Sequence, residues 1–421
     1  PLSLYTIDKR FGRKIMKKKI ISLFLIAFSA FTVASCGKQD NSAAVKAAIE
    51  DAQTLSYAEI LEKAKAEVGD KEVQVFGNSS ALEKALVNFT KATGIKIANN
   101  KLNDGPLYEK LENTIGKKQY SADMVLIQDG NSLQTKMLNT GYLVDYTPKD
   151  YKDVLAADDL HPTAAVYLNK VFMYNNTGVE GEETKAGVLK NYLTNVWQLA
   201  GTDADKGHIK NVSFKLATQE NINMNFLVML TSDEWVTKLK AAYKDFYGKD
   251  YVEETQYKNI GYKWIAEFLK NTKAHKSDGT ACKDTAKGTS GTIAYCNFNK
   301  LKDCKEEGVG KEDKANLTTA ALEGEGVKGF GGFVYKMYTM VARNAKYPYA
   351  ACALVNYILS TEGFKGAWGT NLGYYSTNPE AEIAKGDKAL SWWKQNCVIE
   401  NPAYVASVYS DVYDYVSQFE A

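Results

Sequence analysis

Two hydrophobic patterns alternate along the N-terminal half of the chain. Residues 72–76 and 95–98 alternate between apolar and polar positions, as half-buried strands do, and residues 124–127 form a wholly apolar strand. Between them, residues 81–93 carry the helical period and end at Gly94, a residue that commonly caps helices. Strands that alternate with helices in this way predict a mostly parallel α/β sheet.

The same periodicities continue to the C-terminus without a fixed-length repeat. Ser56 and Glu59 have the spacing of a capping box, which predicts that a helix begins at Tyr57. Further helices are expected at 106–115, 132–139, 222–231, 234–246, 260–271, 349–359, 362–368 and 405–419, and strands at 164–174, 208–216, 291–296 and 333–342. Lysine, glycine and threonine dominate 271–291 and 303–331, which predicts surface loops there.

Two of the apolar, β-prone strands predict a two-lobed architecture. The strand at 164–174 is expected to leave the first sheet for a second lobe, and the strand at 333–342 is expected to return. The fold class is therefore predicted to be α/β, with two doubly wound lobes joined by two crossing strands and a ligand cleft between them. Lobe 1 is assigned 54–168 plus 332–421 and lobe 2 is assigned 169–331, with packing of the C-terminal helices on lobe 2 left open.

The N-terminal segment has the organisation of a lipoprotein leader. Residues 1–15 are interpreted as an upstream extension, and 16–35 as a signal peptide with three lysines and an apolar run too short to span a bilayer. Small residues precede Cys36, whose thiol is predicted to carry a lipid anchor on the periplasmic or cell-surface face of a bacterial membrane. An ordinary signal peptide with a chance cysteine is the alternative. Residues 36–53 are expected to form a flexible tether.

The charge balance gives no support for a nucleic-acid partner. The whole chain has a formal net charge of +2, but 1–35 contain seven basic residues and one acidic residue, so the remainder carries −4. Arg343 is the only arginine after the leader. An acidic domain lacks the basic footprint that nucleic-acid binding requires.

Neither the cysteines nor the catalytic motifs indicate an enzyme. Five cysteines follow Cys36, and the local group of Cys282, Cys296 and Cys304 is expected to form one disulfide and leave one thiol over. The sequence has no zinc-protease helix, nucleophile elbow, phosphate-binding loop or acidic calcium loop. The chain is therefore predicted to be a binding protein without a resident cofactor.

Polar turns follow two of the predicted strands. Asn78 and Ser79 come directly after 72–76, and Gln128 and Asp129 come after 124–127. Open α/β sheets bind ligands at the carboxyl ends of their strands, so both turns are candidates to line a cleft, with Asp129 suited to a cationic group. The alternative is that these residues only cap the helices that follow.

Tyrosine enrichment suggests a second kind of ligand chemistry. The chain contains 27 tyrosines, including the adjacent pair Tyr374 and Tyr375. Phenolate is a hard oxygen donor that suits ferric iron. High lysine, asparagine and tyrosine with scarce arginine are also typical of an AT-rich genome, which is the competing explanation.

Several of these segments resemble type II extracellular solute-binding proteins of ABC importers. The resemblance is carried by 72–97, 122–129 and 223–226, and by 344–351 followed by 357–363, which look like the family's signature near its C-terminal helices. The nearest branch is the ferric-iron-binding lipoproteins. In many of those, two adjacent tyrosines of the second lobe bind the metal, whereas here Tyr295 is followed by Cys296.

The resemblance implies a lipoprotein that closes on its ligand by a hinge motion and docks on an ABC importer permease. The residues expected to line the cleft are Asn78, Ser79, Gln128, Asp129, Asn223, Tyr295 and Tyr375. Ferric iron is the favoured cargo, with Tyr295 and Tyr375 as metal ligands. A polyamine, a thiamine-like cation or a sugar is the alternative cargo, and a two-lobed enzyme or a surface interaction lipoprotein is the alternative function.

Overall fold

The computed structural model describes residues 40–175, 192–202, 204–205, 207–289, 291–302, 317–319 and 326–420. The predicted extension, the predicted signal peptide and the predicted lipidation site Cys36 lie outside these residues, as does Cys304. Within them, no helix combines the length and the apolar character needed to cross a bilayer.

The strands of the described residues form one continuous curled sheet. They are β1 Glu72–Gly77, β2 Lys96–Lys101, β3 Met124–Ile127, β4 Leu143–Asp145, β5 Ala164–Asn175, β6 Val212–Lys215, β7 Thr272–His275, β8 Ile293–Asn297, β9 Leu317–Thr319, β10 Gly332–Ala342, β11 Tyr374–Ser376 and β12 Val398–Ile399. The main path of the sheet runs β2-β1-β3-β10-β5-β8-β6-β7.

The two long strands β5 and β10 join two sets of parallel strands. On one side β1 is parallel to β2 and β3, and on the other side β6 is parallel to β7 and β8. Strands β5 and β10 are antiparallel to each other, and β10 also pairs antiparallel with β3, while β5 pairs antiparallel with β8. The predicted α/β fold of two lobes joined by two crossing strands is confirmed.

Helices cover both faces of this sheet. They are α1 Ser42–Ala52, α2 Tyr57–Val68, α3 Leu82–Thr93, α4 Asp104–Ile115, α5 Gly130–Ser132 (continued as a π-helical turn to Leu138), α6 Asn221–Met229, α7 Asp233–Tyr247, α8 Ile260–Lys270, α9 Asp278–Lys287, α10 Pro348–Leu359, α11 Thr361–Ala367, α12 Leu390–Asn396 and α13 Pro402–Val416. The expected capping box is present, since Ser56 and Glu59 bond reciprocally at the start of α2. Gly94 ends α3 with a left-handed φ of 81°.

The prediction of a flexible tether at 36–53 is wrong for its described part. Residues Ser42–Ala52 form α1, whose Val45, Ala48 and Ile49 are buried against α10. The apolar residues of this alanine-rich stretch recur at helical spacing. Their burial supplies the stabilisation that such a short helix lacks in isolation.

The prediction of a surface loop over 271–291 is also wrong. Residues 271–291 contain strand β7, which extends the sheet next to β6. They also contain helix α9, which begins at a capping box on Ser277. The buried face of α9 consists of small residues such as Ala281 and Ala286, so the segment lacks the strong apolar period of the other helices. The extra strand matters because its carboxyl end leads to Asp278.

The last helix contacts helices of both lobes. Helix α13 packs against α6 and α8 and also against α5. Beyond its end, Glu420 accepts hydrogen bonds from the backbone N–H groups of Ala217 and Thr218, each at 2.8 Å. The proposed lobe boundaries at 168/169 and 331/332 fall within β5 and at the start of β10.

Candidate ligand site between the lobes

Polar side chains from both lobes meet where the parallel strands end. Asn78, Asp104 and Asp129 follow the carboxyl ends of β1, β2 and β3 in lobe 1. Lobe 2 contributes residues after β6, and the turn after β12 adds one more carboxylate. We call this group the polar seam, and it consists of Asn78, Asp104, Asp129, Lys215, Glu220, Asn221, Asn223, Asn225 and Glu400.

Asp129 links the two lobes directly. Its Oδ2 accepts a hydrogen bond from Asn221 Nδ2 at 2.7 Å, and its Oδ1 accepts one from Asn225 Nδ2 at 3.1 Å. The same Oδ1 also accepts from the backbone N–H of Ser132 at 3.2 Å. Asp129 therefore caps α5 and also makes an interlobe contact.

Glu400 lies on the other side of the Asn225 amide. Its Oε1 accepts from Asn225 Nδ2 at 2.8 Å. Burial raises the pKa of Glu400 to about 8, and the charge of Asp129 acts in the same direction. A carboxyl group with this pKa is largely protonated at neutral pH unless a positive charge comes close.

Asp104 is the second carboxyl of the seam with a raised pKa. Its Oδ1 accepts from Asn78 Nδ2 at 2.5 Å. Burial raises the pKa of Asp104 well above its usual range, and the charges of Asp129 and Glu220 add to the effect, while Lys215 opposes it. The carboxyl groups of the seam thus repel one another across the lobe boundary.

Two lysines compensate the remaining carboxylates on the lobe 2 side. Lys215 forms a short ion pair with Glu220. Burial alone would raise the pKa of Glu220, but Lys170 and Lys215 lower it. Lys170 is only 1% exposed, and its Nζ donates to Asn223 Oδ1 at 2.6 Å and to Asp278 at 3.2 Å. Asn223 in turn donates to the carbonyl of Lys215 at 2.7 Å.

Tyrosines surround the seam without being ionised. Tyr108 donates to the carbonyl of Asp129 at 2.9 Å, and Tyr335 donates to Asn297 Oδ1 at 2.8 Å. Burial raises the pKa values of Tyr108, Tyr335 and Tyr338, and nearby carboxylates raise them further. The charge of Asp129 contributes to the raised pKa of Tyr108 and of Tyr338. The charges of Glu220 and Asp104 contribute to the raised pKa of Tyr335.

Two of the predicted cleft residues lie beside the seam with partners of their own. Ser79 is buried, and its hydroxyl accepts from Trp368 Nε1 at 3.3 Å. Gln128 Nε2 lies 3.6 Å from the sulfur of Met337 on β10. Asn78, Asp129 and Asn223 are the predicted residues that the fold brings into the seam itself.

Tyr295 and Tyr375 do not form a joint metal site in this structure. Tyr295 pairs with Phe172 across β8 and β5, and Tyr375 pairs with Tyr167 across β11 and β5. Residues 167 and 172 of one strand differ by an odd number, so their side chains point to opposite faces of the sheet. The two tyrosines accordingly belong to different core clusters.

The surroundings of each tyrosine explain this outcome. Tyr295 is fully buried and stacks on Phe226 with ring centroids 4.8 Å apart, and its hydroxyl has no hydrogen-bond partner. Tyr375 donates to Asp387 at 2.8 Å. Burial raises the pKa of both phenols, so both are protonated in the metal-free protein. In the described part of the chain, no group of three or more histidine, cysteine, aspartate or glutamate side chains is arranged to hold a metal.

Sequence reasoning missed several seam residues. Asp104, Asn221 and Asn225 begin or line helices, where polar residues usually serve as caps or solvent contacts. The pair Asn223 and Asn225 carries a signal, because side chains two positions apart point in different directions on a helix and both are polar in an apolar stretch. The sequence around Glu400 contains no such signal, because only the fold of the C-terminal segment brings Glu400 next to Asn225.

Comparisons with known proteins identify the fold. No family model matches the sequence, and no curated protein matches it significantly. Among solved structures, iron-bound HitA from Pseudomonas aeruginosa has a TM-score of 0.62 at 14% identity, covering 83% of this chain and 99% of its own. The periplasmic binding protein AfuA from Actinobacillus pleuropneumoniae, with fructose-6-phosphate bound, has a TM-score of 0.57 at 14% identity, covering 83% and 98%.

A third similar structure extends the range of ligands. AgtB from A. tumefaciens R10, in complex with agropinic acid, has a TM-score of 0.54 at 13% identity, covering 83% of this chain and 98% of its own. These matches establish that the chain has the fold of the periplasmic solute-binding proteins. The three structures contain iron, fructose-6-phosphate and agropinic acid, respectively, so the fold by itself does not select a ligand.

Proposed function

We propose that this protein is the substrate-capturing subunit of an ABC importer and that it holds a small cation in the polar seam. The fold supplies two lobes joined by two crossing strands, which is the arrangement that hinge closure uses. The seam lies between those lobes at the carboxyl ends of the strands, where open α/β sheets bind ligands.

The excess of carboxyl groups in the seam is the observation that carries this proposal. Burial raises the pKa of Asp104 and of Glu400, and the charge of Asp129 raises both further. A bound cation would relieve that repulsion and the desolvation of the carboxylates together. A neutral sugar would do neither.

Two cargo classes fit such a site. Ferric iron is the cargo predicted from the sequence, and a hard cation suits carboxylate oxygens. A small organic cation, such as a polyamine or a thiamine-like molecule, is the second candidate. The unpartnered acceptor oxygens of the polar seam favour this second class. In either case the protein would close around the ligand and present the closed form to a permease.

The proposed location follows from the leader. Lipid attachment at Cys36 would tether the protein to the outer face of a bacterial membrane, where a capture subunit binds its ligand close to the permease. Substituting Cys36 with serine should release the protein from membranes.

A binding titration tests the proposed function. Calorimetric titration of the protein with ferric citrate, putrescine, spermidine and thiamine should reveal saturable binding of at least one of them, with the ligand recovered unchanged. Asp129→Asn should weaken that binding roughly tenfold or more, because it removes a charged partner. Asp51→Asn, the same substitution at a residue that pairs with Lys63 and Tyr349, should leave the affinity unchanged.

Two results would contradict the proposal. If none of the cations binds, the seam is not a capture site for them. If the ligand is converted to a product, the two-lobed enzyme becomes the better interpretation.

A further inference from the structure

The polar seam contains buried acceptors that lack donors. Asn225 Oδ1 and Glu400 Oε2 have no hydrogen-bond partner, although Asn225 is 0% exposed and Glu400 is 7% exposed. Asn78 Oδ1 is a third unpartnered acceptor. Buried polar atoms are nearly always satisfied in folded proteins, so these oxygens offer acceptor positions to a molecule that carries N–H or O–H groups.

The orientation of the asparagine amides follows from their neighbours. Asn225 Nδ2 lies between Asp129 Oδ1, at 3.1 Å, and Glu400 Oε1, at 2.8 Å. Asn78 Nδ2 faces Asp104 Oδ1 at 2.5 Å. The reverse orientation would place an amide oxygen against a carboxylate, so the unpartnered atoms are the oxygens.

The lysines near the seam are engaged with other carboxylates. Lys215 pairs with Glu220, Lys170 with Asp278, and Lys336 with Asp159. The carboxyl groups of Asp104, Asp129 and Glu400 are held by asparagine amides and backbone N–H groups. The seam therefore combines unsatisfied acceptors with three carboxyl groups to which no lysine of the described residues forms an ion pair.

This arrangement suits N–H donors better than a bare metal ion. An ion that bridged Asp129 and Glu400 would meet the amide hydrogens of Asn225, which lie between the two carboxyl groups and repel a cation. An ammonium or amidinium group can donate to the outer oxygens and leave the amide in place. Charge-assisted bonds of this kind are roughly twice as strong as neutral ones.

We propose that the polar seam binds an organic ligand carrying a protonated amine or amidinium group, whose N–H groups donate to Asn225 Oδ1 and Glu400 Oε2. This inference rests on the proposed function and names its substrate class. Asn78 Oδ1 takes a further N–H or O–H group of the same ligand.

The test compares ligands and variants in parallel titrations. The probes are linear diamines of three to five carbons, spermidine and thiamine, with mono-acetylated and di-acetylated putrescine as ligand controls that lose one or both ammonium groups. Ferric citrate and glucose represent the other two cargo classes. We expect an amine to bind and its fully acetylated form to fail.

Protein variants assign the effect to the seam. Glu400→Gln should weaken amine binding roughly ten- to hundredfold, because it replaces a carboxylate acceptor by an amide. Glu67→Gln makes the same change at a glutamate whose carboxylate accepts from Ala350 N–H on α10, and it should leave the affinity unchanged. Asn225→Leu, which removes the central acceptor, provides a second variant should Glu400→Gln fold poorly.

The outcomes separate the two claims, which are the amine substrate class and the proposed capture function. Binding of ferric citrate without any amine overturns the amine class and leaves the capture function standing. Binding of glucose alone overturns both the amine class and the cation site. Failure of every probe overturns the proposed function itself, and equal binding of putrescine and its di-acetylated form overturns the amine class directly.

Discussion

At the residue scale, the main feature is a pair of buried carboxyl groups whose protonation depends on their surroundings. Burial raises the pKa of Glu400 to about 8, and it raises the pKa of Glu67 on α2 to about 8 as well. Glu400 lies in the polar seam, whereas Glu67 lies at the packing of α2 on α10. The two residues share one electrostatic property and differ in location.

The raised pKa values determine the sign of the pH dependence. Between the ordinary glutamate value of 4.5 and about 8, the folded protein holds protons that the unfolded chain releases. Their stabilising contribution is therefore complete below the unfolded pKa and is lost as the pH rises through the folded pKa. Glu400→Gln and Glu67→Gln should each gain stability relative to the wild type as the pH rises across this window, as measured by urea unfolding.

Ligand affinity should separate the two glutamates. Cation binding to the wild type should strengthen as the pH rises towards about 8, because Glu400 ionises. This trend should weaken in Glu400→Gln, which leaves Asp104 as the seam carboxyl with a raised pKa, and it should persist in full in Glu67→Gln. A binding affinity that is independent of pH in the wild type would show that Glu400 does not face the ligand.

At the element scale, close contact between the crossing strands depends on glycine. Gly332 begins β10 opposite Val171 of β5, and a Cβ at this position would lie 2.2 Å from the carbonyl oxygen of Lys170. The neighbouring atoms are backbone atoms of the other crossing strand, so they cannot move independently. Lys170, the buried cation beside the seam, is held by the same strand pair.

Gly332→Ala should therefore lower the free energy of unfolding by about 1–3 kcal/mol, as overpacking does. The control is Gly105→Ala near the start of α4, where a Cβ meets no atom within 4 Å and alanine favours the helix. Urea denaturation followed by tryptophan fluorescence measures both. An unchanged midpoint for Gly332→Ala would mean that the two crossing strands separate more easily than their packing indicates.

Helix α13 is the other element that contacts both lobes. It packs on α6 and α8 of lobe 2 and on α5 of lobe 1, and Tyr404 near its start shares a hydrogen bond of 2.8 Å with Thr231. Most of its polar contacts are to lobe 2, including the bond from Tyr415 to the carbonyl of Tyr262 at 3.1 Å. The helix is thus anchored to one lobe and borders the seam at the other.

At the scale of the whole molecule, the lobes are held together at the seam by a few hydrogen bonds. Asp129 accepts from Asn221 and Asn225, and these contacts join residues 92 and 96 positions apart. Each hydrogen bond is individually modest, so the contact between the lobes at the seam depends on their sum. Hinge motion would act through β5 and β10.

Replacing both Asn221 and Asn225 with alanine should shift the ligand-free protein towards a more open form, because it removes the interlobe donors to Asp129. Small-angle X-ray scattering should report a larger radius of gyration for this variant. Asn88→Ala serves as the control, since Asn88 bonds to Gly366 within lobe 1. Identical scattering curves for the double variant and the wild type would show that other contacts set the closure.

The local elements and the α/β class could be predicted from patterns in the sequence. The period of two in 72–76, the helical period in 81–93 with Gly94 after it, and the apolar run at 124–127 each correspond to an element of the structure. These patterns are readable because each amphipathic element must bury one face, which constrains residues close together in sequence. Helix α9 was not predicted because its buried face consists mostly of small residues, which give no strong hydrophobic period.

The set of side chains that share a site depends on how distant segments pack together in the tertiary structure. Asn225 and Glu400 lie 175 positions apart, so no local pattern connects them. The faces of Tyr295 and Tyr375 depend on the register of β8 and β11 on β5, and a change of one residue in register reverses the side a residue faces. Strand periodicity identifies the strand, whereas the pairing of distant strands places its side chains.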